Sequence, residues 1–193
     1  MTHHLNGKKV AVIATDMVEQ VELTKPWQAL EEHGAQVELV SLEEGEIQGF
    51  NHYDKADTFP VDKAIDAADP DEFDALLLPG GVGNPDTLRT NDQVVDFVRR
   101  MFESGKPIAA ICHGPWALVE AGVVEGLTLT SWPSLRTDIR NAGGTWVDEQ
   151  VHVDQGVTTS RKPDDIPAFN EKMVEEFAEG RHQGRRIPAH ARA

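Results

Sequence analysis

Apolar positions recur along the chain in two rhythms, and each rhythm predicts an element. Lys8 to Thr15 (KKVAVIAT) is a short apolar run rich in β-branched residues, the mark of a buried strand. From Val21 to His33, Leu23, Trp27 and Leu30 return on one helical face. A helix is expected there, with Pro26 in its first turn, where a missing N–H costs little, and Gly34 at its end. Gln36 to Leu42 alternates as a second strand, and the turn residues Gly45 and Gly49 predict a small hairpin within Glu43 to Ala56. Phe73 to Leu78 reads as a buried strand stopped by Pro79-Gly80-Gly81. Asn91 to Ser104 is an amphipathic helix capped by Asn91, striped by Val94, Val95, Val98, Met101 and Phe102, and closed by Gly105.

The second half continues the alternation. Pro107 to Ile111 is a short strand, Gly114 to Ala121 a helix ended by Gly122, Thr128 to Ser131 a strand and Ser134 to Ala142 a short helix. Trp146 to Ser160 reads as a hairpin turning at Asp154-Gln155-Gly156, and Asp164 to Ala178 as the last helix. Strands alternating with helices predict an α/β protein with a mostly parallel sheet. No repeat or low-complexity segment interrupts the pattern, and 193 residues suit one well-packed core. The expected division is a single domain over residues 1–180 and a basic tail over 181–193.

Composition narrows the class. A chain with 39% hydrophobic and 26% charged residues is ordinary for a globular protein. No apolar run approaches the roughly 20 residues of a membrane helix. Met1 to Val10 lacks the apolar stretch of a signal peptide. Cys112 is the single cysteine, so no disulfide forms within the chain. The expectation is a soluble cytoplasmic protein. A net charge of −15 disfavours nucleic acid and anionic membranes as partners. The tail runs against this charge, with Arg181, Arg185, Arg186 and Arg192 and no acid. It is expected to dock on the acidic body or on a neighbouring subunit.

Sites in open α/β sheets form beyond the carboxyl ends of the strands. Three such ends carry suggestive residues: Asp16 to Glu22, Pro79 to Asp86, and Cys112-His113-Gly114. In AAICHGP the apolar strand runs straight into a cysteine, then Gly-Pro, then a helix. A residue on such a turn projects above the sheet, and a helix N-terminus favours a thiolate. A lone cysteine is more often a buried structural residue; the elbow and the adjacent His113 favour the reactive reading. His152-Val153-Asp154 is a competing His–carboxylate pair, expected to be a solvated surface pair beside a turn. Glu19 and Glu22 read as N-terminal helix charge or as a carboxyl reaching Cys112. Pro79-Gly80-Gly81 reads as a turn or as a source of backbone N–H groups for an oxyanion. The eight histidines are scattered and no His/Cys spacing fits zinc, so no metal is expected. No Gly-x-Gly-x-x-Gly or Walker motif supports nucleotide binding.

VEQVEL (18–23), EFDALLLPGG (72–81), GKPIAAICHGP (105–115), LTSWPSLRTDIRNAG (129–143) and SRKPDD (160–165) together resemble the ThiJ/PfpI family, in particular PfpI-type intracellular peptidases and bacterial stress proteins. The resemblance implies a flavodoxin-like three-layer sandwich related to the class I glutamine amidotransferase domain. It implies Cys112 as nucleophile, Glu19 as the carboxyl on its thiol, and His113 as its histidine. It further implies the amides of Gly81 and His113 as oxyanion donors, and Asp86 as an acid acting from a neighbouring subunit. Asp86 is one methylene shorter than the family's usual glutamate. Trp132 stands where peptidases of this type carry Tyr, so Trp116 and Trp132 are expected to form a bulky apolar wall. Amidotransferase chemistry needs a distal His-x-Glu, which His152-Val153-Asp154 only approximates.

Three functions follow from the resemblance. The first is a cofactor-free enzyme acting on small reactive carbonyls or glycated proteins (glyoxalase or deglycase), with Cys112 adding to an aldehyde. The second is a cysteine peptidase. The third is a peroxide sensor in which Cys112 is oxidised to a sulfinate that Glu19 accepts as a hydrogen-bond partner. Glu19 is expected to hold a proton against a Cys112 thiolate, and the chain to form a homodimer or higher homo-oligomer.

Overall fold

The computed structural model describes residues 4–186 and residue 188. Arg192 of the tail and Met1–His3 lie outside the described residues. In chain order the first half holds β1 (Lys9–Ile13), β2 (Val18–Glu19), α1 (Gln20–Glu32), β3 (Gln36–Ser41), β4 (Glu46–Asn51), β5 (Asp54–Pro60), β6 (Lys63–Ala64) and β7 (Ala75–Leu78). The second half holds α2 (Gly83–Leu88), α3 (Asp92–Glu103), β8 (Ile108–Ile111), α4 (Trp116–Glu120), β9 (Thr128–Leu129), α5 (Arg136–Asn141), β10 (Thr145–Trp146), β11 (Val151–Asp154), β12 (Val157–Ser160) and α6 (Ile166–Glu179).

The central strands are apolar at every position because both faces are covered, and successive side chains divide between two cores. In β1, Ala11 and Ile13 join Leu76, Leu78, Ile108 and Ala110 on one face, against the α3 stripe of Val94, Phe97, Val98, Met101 and Phe102. Val10 and Val12 join Leu77, Ala109 and Ile111 on the other, against Leu23 and Leu30 of α1 and Phe169, Met173 and Phe177 of α6. The seven-stranded sheet has the order β11-β12-β8-β7-β1-β3-β6. All its pairings are parallel except that of the edge strand β11. This is a flavodoxin-like three-layer α/β sandwich. Among the described residues no helix is long and apolar enough to cross a membrane.

Several expectations are corrected. Helix α1 starts at Gln20, directly after β2, so Pro26 lies in its second turn and has no N–H for the Glu22 carbonyl. The β4–β5 hairpin turns at His52-Tyr53 instead of Gly45 or Gly49. Gly49 lies within β4, where a Cβ would come within 2.9 Å of the Phe59 ring. Pro79-Gly80-Gly81 leads into the unanticipated helix α2. Helix α4 begins at Trp116, so Cys112 stands on a turn four residues before it and not at its N-terminus. Thr128–Leu129 pairs with Thr145–Trp146 in a separate two-stranded sheet.

The tail docks through one buried side chain. The Arg185 guanidinium donates to the carbonyls of Gln155 (2.7 Å), Phe102 and Lys106 (3.0 Å each) and lies 4.6 Å from the Phe102 ring centroid. General attraction of four arginines to an acidic surface is therefore not the main hold. Buried backbone acceptors at the strand ends need donors, and Arg185 supplies them.

Candidate active site

The adjacent strands β1, β7 and β8 deliver three loops to one crevice. Cys112 follows β8 with φ +62°, a left-handed conformation that costs a non-glycine residue roughly 1 kcal/mol. It persists because the neighbouring groups fix it. The Cys112 N–H donates to Ser160 O at 3.0 Å, and its carbonyl accepts from Trp132 N–H at 2.9 Å. Gly114 closes the turn, and a Cβ there would collide with the Leu78 carbonyl. The elbow is thus a strained, hydrogen-bonded mount for one thiol.

The carboxyl on that thiol belongs to Glu22. Glu22 is fully buried beside the Cys112 thiol, with which it interacts electrostatically. Its Oε2 accepts the Gly80 N–H at 3.0 Å, and its Oε1 is buried with no hydrogen-bond partner among the described residues. Glu19, expected in this role, lines the same cavity, but its hydrogen-bond partner is in the hairpin tip and not the thiol. It lies at the end of β2, and its Oε2 accepts the His52 N–H at 3.1 Å in the hairpin tip. The correction has a helical cause: Glu22, Pro26 and Leu30 are spaced four apart on the buried stripe of α1. Glu19 precedes the helix and belongs to the small sheet.

Burial pushes the Glu22 carboxyl up to about 8, so it carries a proton at neutral pH. Burial also raises the Cys112 thiol above its ordinary range, and the Glu22 charge adds to this, while the amides of Gly81 and His113 favour the thiolate. When Glu22 is protonated that charge is absent, and its O–H can donate to sulfur.

His113 Nδ1 lies 3.2 Å from Cys112 Sγ, and Nε2 lies 3.3 Å from Ser134 Oγ. Burial pulls the imidazole down to about 4, so it is neutral at pH 7. Trp132 stacks near the ring at 5.9 Å between centroids and lines the cavity. Trp116 does not line it. Its Nε1 donates to Asp138 at 2.8 Å, and the ring packs behind His113. Asp86 is exposed on α2 and is absent from the cavity lining; among the described residues the hydrogen-bond partners of the His113 ring are Cys112 and Ser134, not an acid. The other His–carboxylate pair is dispersed: His152 pairs with Glu149 at 2.7 Å, and Asp154 accepts the Thr128 N–H.

Three further contributors were not singled out from the sequence. Asn84 is fully buried. Its Oδ1 accepts the Thr15 N–H at 2.8 Å, and its Nδ2 donates to the carbonyls of Pro79 and Gly80, tying the β1 and β7 loops together. Met17 (φ +66°) and His52 (φ +57°) join Cys112 as left-handed residues around the crevice. The cavity, about 340 Å³, is also bounded by Tyr53, Val82 and Pro163. Met17, Tyr53, Val82 and Trp132 are the exposed large hydrophobic side chains among the described residues, and all four border this cavity.

The family model for the DJ-1/PfpI family matches residues 8–176. The chain belongs to the DJ-1/PfpI family. Deglycase TK1284 of Thermococcus kodakarensis is 43% identical over 166 residues, 86% of this chain and 97% of that protein. YraA of Bacillus subtilis, whose name assigns it provisionally to the cysteine proteases, is 42% identical over 168 residues, 87% of this chain and 97% of that protein. The crystal structure of Drosophila melanogaster DJ-1beta matches with a TM-score of 0.80 and 30% identity, over 89% of this chain and 90% of that one. The DJ-1/PfpI match ends at Glu176, so the docked tail lies beyond it.

Proposed function

We propose that this chain is a cytoplasmic stress-protective enzyme that uses Cys112 on reactive carbonyls, as a methylglyoxal glyoxalase or a protein deglycase. The observation that carries the reading is a buried Glu22 that holds a proton against the nucleophile. A protonated carboxyl beside a thiol suits carbonyl addition, in which an oxygen must be protonated and a C–H proton then removed.

The steps follow from the positions. The Cys112 thiol proton passes to neutral His113 Nδ1, and the sulfur adds to the aldehyde carbon of methylglyoxal. The carbonyl electron pair moves to oxygen, which takes the Glu22 proton to give a hemithioacetal. The amides of Gly81 and His113 offer donors to the developing charge. The Glu22 carboxylate then removes the proton from the sulfur-bearing carbon while the ketone oxygen takes the proton held by His113, forming an enediol. Glu22 returns its proton to the neighbouring carbon as the hydroxyl on the sulfur-bearing carbon gives its proton to His113, leaving a lactoyl thioester. Water then attacks the thioester carbonyl and gives a proton to the Glu22 carboxylate, while the departing sulfur takes the His113 proton. Lactate leaves with its acid proton passing to solvent, which restores protonated Glu22, neutral His113 and the Cys112 thiol. An early glycation adduct would yield the same hydroxy acid and a free amine. No step requires a cofactor.

The peptidase reading finds support in the YraA name but needs a group to orient His113. The group on Nε2 is the Ser134 hydroxyl, and Asp86 would have to come from a second subunit. Lactate formation from methylglyoxal, measured beside casein digestion for wild type and Cys112→Ser, tests both. Cys112-dependent lactate without digestion supports carbonyl chemistry. Digestion without lactate overturns it in favour of the peptidase. Neither activity, with Cys112 readily oxidised by peroxide, points to a redox sensor.

A further inference from the structure

The C-terminal end of α6 gathers ligand atoms that no step above uses. Glu176 and Glu179 are three residues apart and share a helical face. Gly180, with φ +83° and ψ −141°, ends the helix. His182 then returns, with its N–H donating to Gly105 O at 2.8 Å. Its ring packs against Gly156, where a Cβ would collide with the imidazole. One ligand atom from each of Glu176, Glu179 and His182 lies within 4.8 Å of the others.

Glu176 is 8% exposed. Its Oε2 lies 3.0 Å from His182 Nε2, yet neither buried atom has a hydrogen bond. The pair is close, but the geometry is not that of an N–H donating to a carboxylate. A shared tetrahedral zinc ion with ligand distances of about 2.0–2.1 Å would separate such an N and O by about 3.3 Å. The neighbouring cations do not hydrogen-bond these ligand atoms: Lys172 pairs with Glu175 at 2.6 Å, and Arg185 donates to three carbonyls through Nε and Nη1, its Nη2 having no hydrogen-bond partner among the described residues.

We propose that Glu176, Glu179 and His182 form a site for a divalent transition-metal ion, zinc(II) in the first place, that fastens the C-terminal tail to α6. Two carboxylates and an imidazole suit a borderline ion and leave a coordination position for water. The site lies by Gly105 and Gly156, at the starts of β8 and β12, the opposite strand ends from Cys112. Its role is therefore structural: it orders the segment that carries Arg185.

Full-length protein stripped with a chelator should bind one tight equivalent of zinc(II) by calorimetry. Cobalt(II) at the same site should give a visible d–d band without sulfur-to-cobalt charge transfer, which separates it from Cys112. Glu179 is exposed, so Glu179→Gln leaves folding intact. This variant and His182→Ala should each weaken zinc binding by about tenfold or more. Zinc should also slow tryptic cleavage after Arg181 in wild type and not in His182→Ala. No tight equivalent in wild type, a thiolate band on the tight site, or unchanged affinity in both variants would overturn the proposal.

Discussion

The Glu22 carboxyl and the Cys112 thiol share one buried pocket whose third wall is Gly80. Glu22 Oε2 takes the Gly80 N–H at 3.0 Å, and a Cβ at Gly80 would strike that same oxygen and come within 2.6 Å of Cys112 Cβ. The absence of a side chain at position 80 is what lets acid and nucleophile meet.

Substitution of the two nearby glutamates should separate their roles. Glu22→Gln is expected to lower kcat/KM for methylglyoxal about 100-fold or more, the scale of a lost proton relay. Glu19→Gln loosens a partly exposed hairpin contact and should cost less than about fivefold. Steady-state kinetics on both decides, and equal losses would return Glu19 to the site. Gly80→Ala should match the Glu22 variant in activity and be less stable.

Stability should fall with pH in a window set by Glu22. Below about 4.5 the folded and unfolded states both hold the proton, and between there and about 8 only the folded state does. Folding is therefore disfavoured progressively as pH rises through that window, and the contribution is flat above it. At about 1.4 kcal/mol per pH unit the effect reaches a few kcal/mol. Urea midpoints across this range should show a steeper decline for wild type than for Glu22→Gln, and parallel curves would refute the assignment. A rate requiring the Glu22 proton should decline above about pH 8, with no such limb in the Gln variant.

Asn84→Ala strands the Thr15 N–H and removes both donors to the Pro79 and Gly80 carbonyls. A loss of about 1–3 kcal/mol is expected, read from chemical denaturation. Activity should drop as well, because the loop presenting Gly81 loses its tie to β1.

Arg185→Ala should destabilise the protein by about 2–3 kcal/mol by unpairing buried carbonyls. Because those acceptors are backbone groups, wild-type stability should change little with added salt, unlike a tail held by surface ion pairs. A strongly salt-dependent melting temperature that Arg185→Ala leaves unchanged would refute this.

Assembly is testable at the cavity rim. Met17, Tyr53, Val82 and Trp132 together expose an apolar border, and the full-length chain is expected to sediment as at least a dimer at micromolar concentration. A clean monomer would remove the role of Asp86 and the peptidase mechanism with it.

The parallel sheet, the elbow and Cys112 were legible because each is written locally: a saturated apolar run, then small residues at a tight turn. The Glu22–Cys112 contact was less legible because it depends on where α1 starts. Beginning the helix at Gln20 places Glu22 in phase with Pro26 and Leu30 and leaves Glu19 outside. Asn84 was hidden for another reason. Its partners, Thr15, Pro79 and Gly80, come from two loops, and no spacing along the chain reports that they meet. Arg185 likewise reads as one basic tail residue among four until the carbonyls of Phe102, Lys106 and Gln155 are brought beside it.

The left-handed backbone at Cys112 sets folding and chemistry at odds in a single residue. Glycine is the residue that tolerates φ +62° most readily, so Cys112→Gly should raise stability by up to about 1 kcal/mol while removing the only thiol. Selection for thermostability alone, with no demand for turnover, would therefore be expected to discard the nucleophile early.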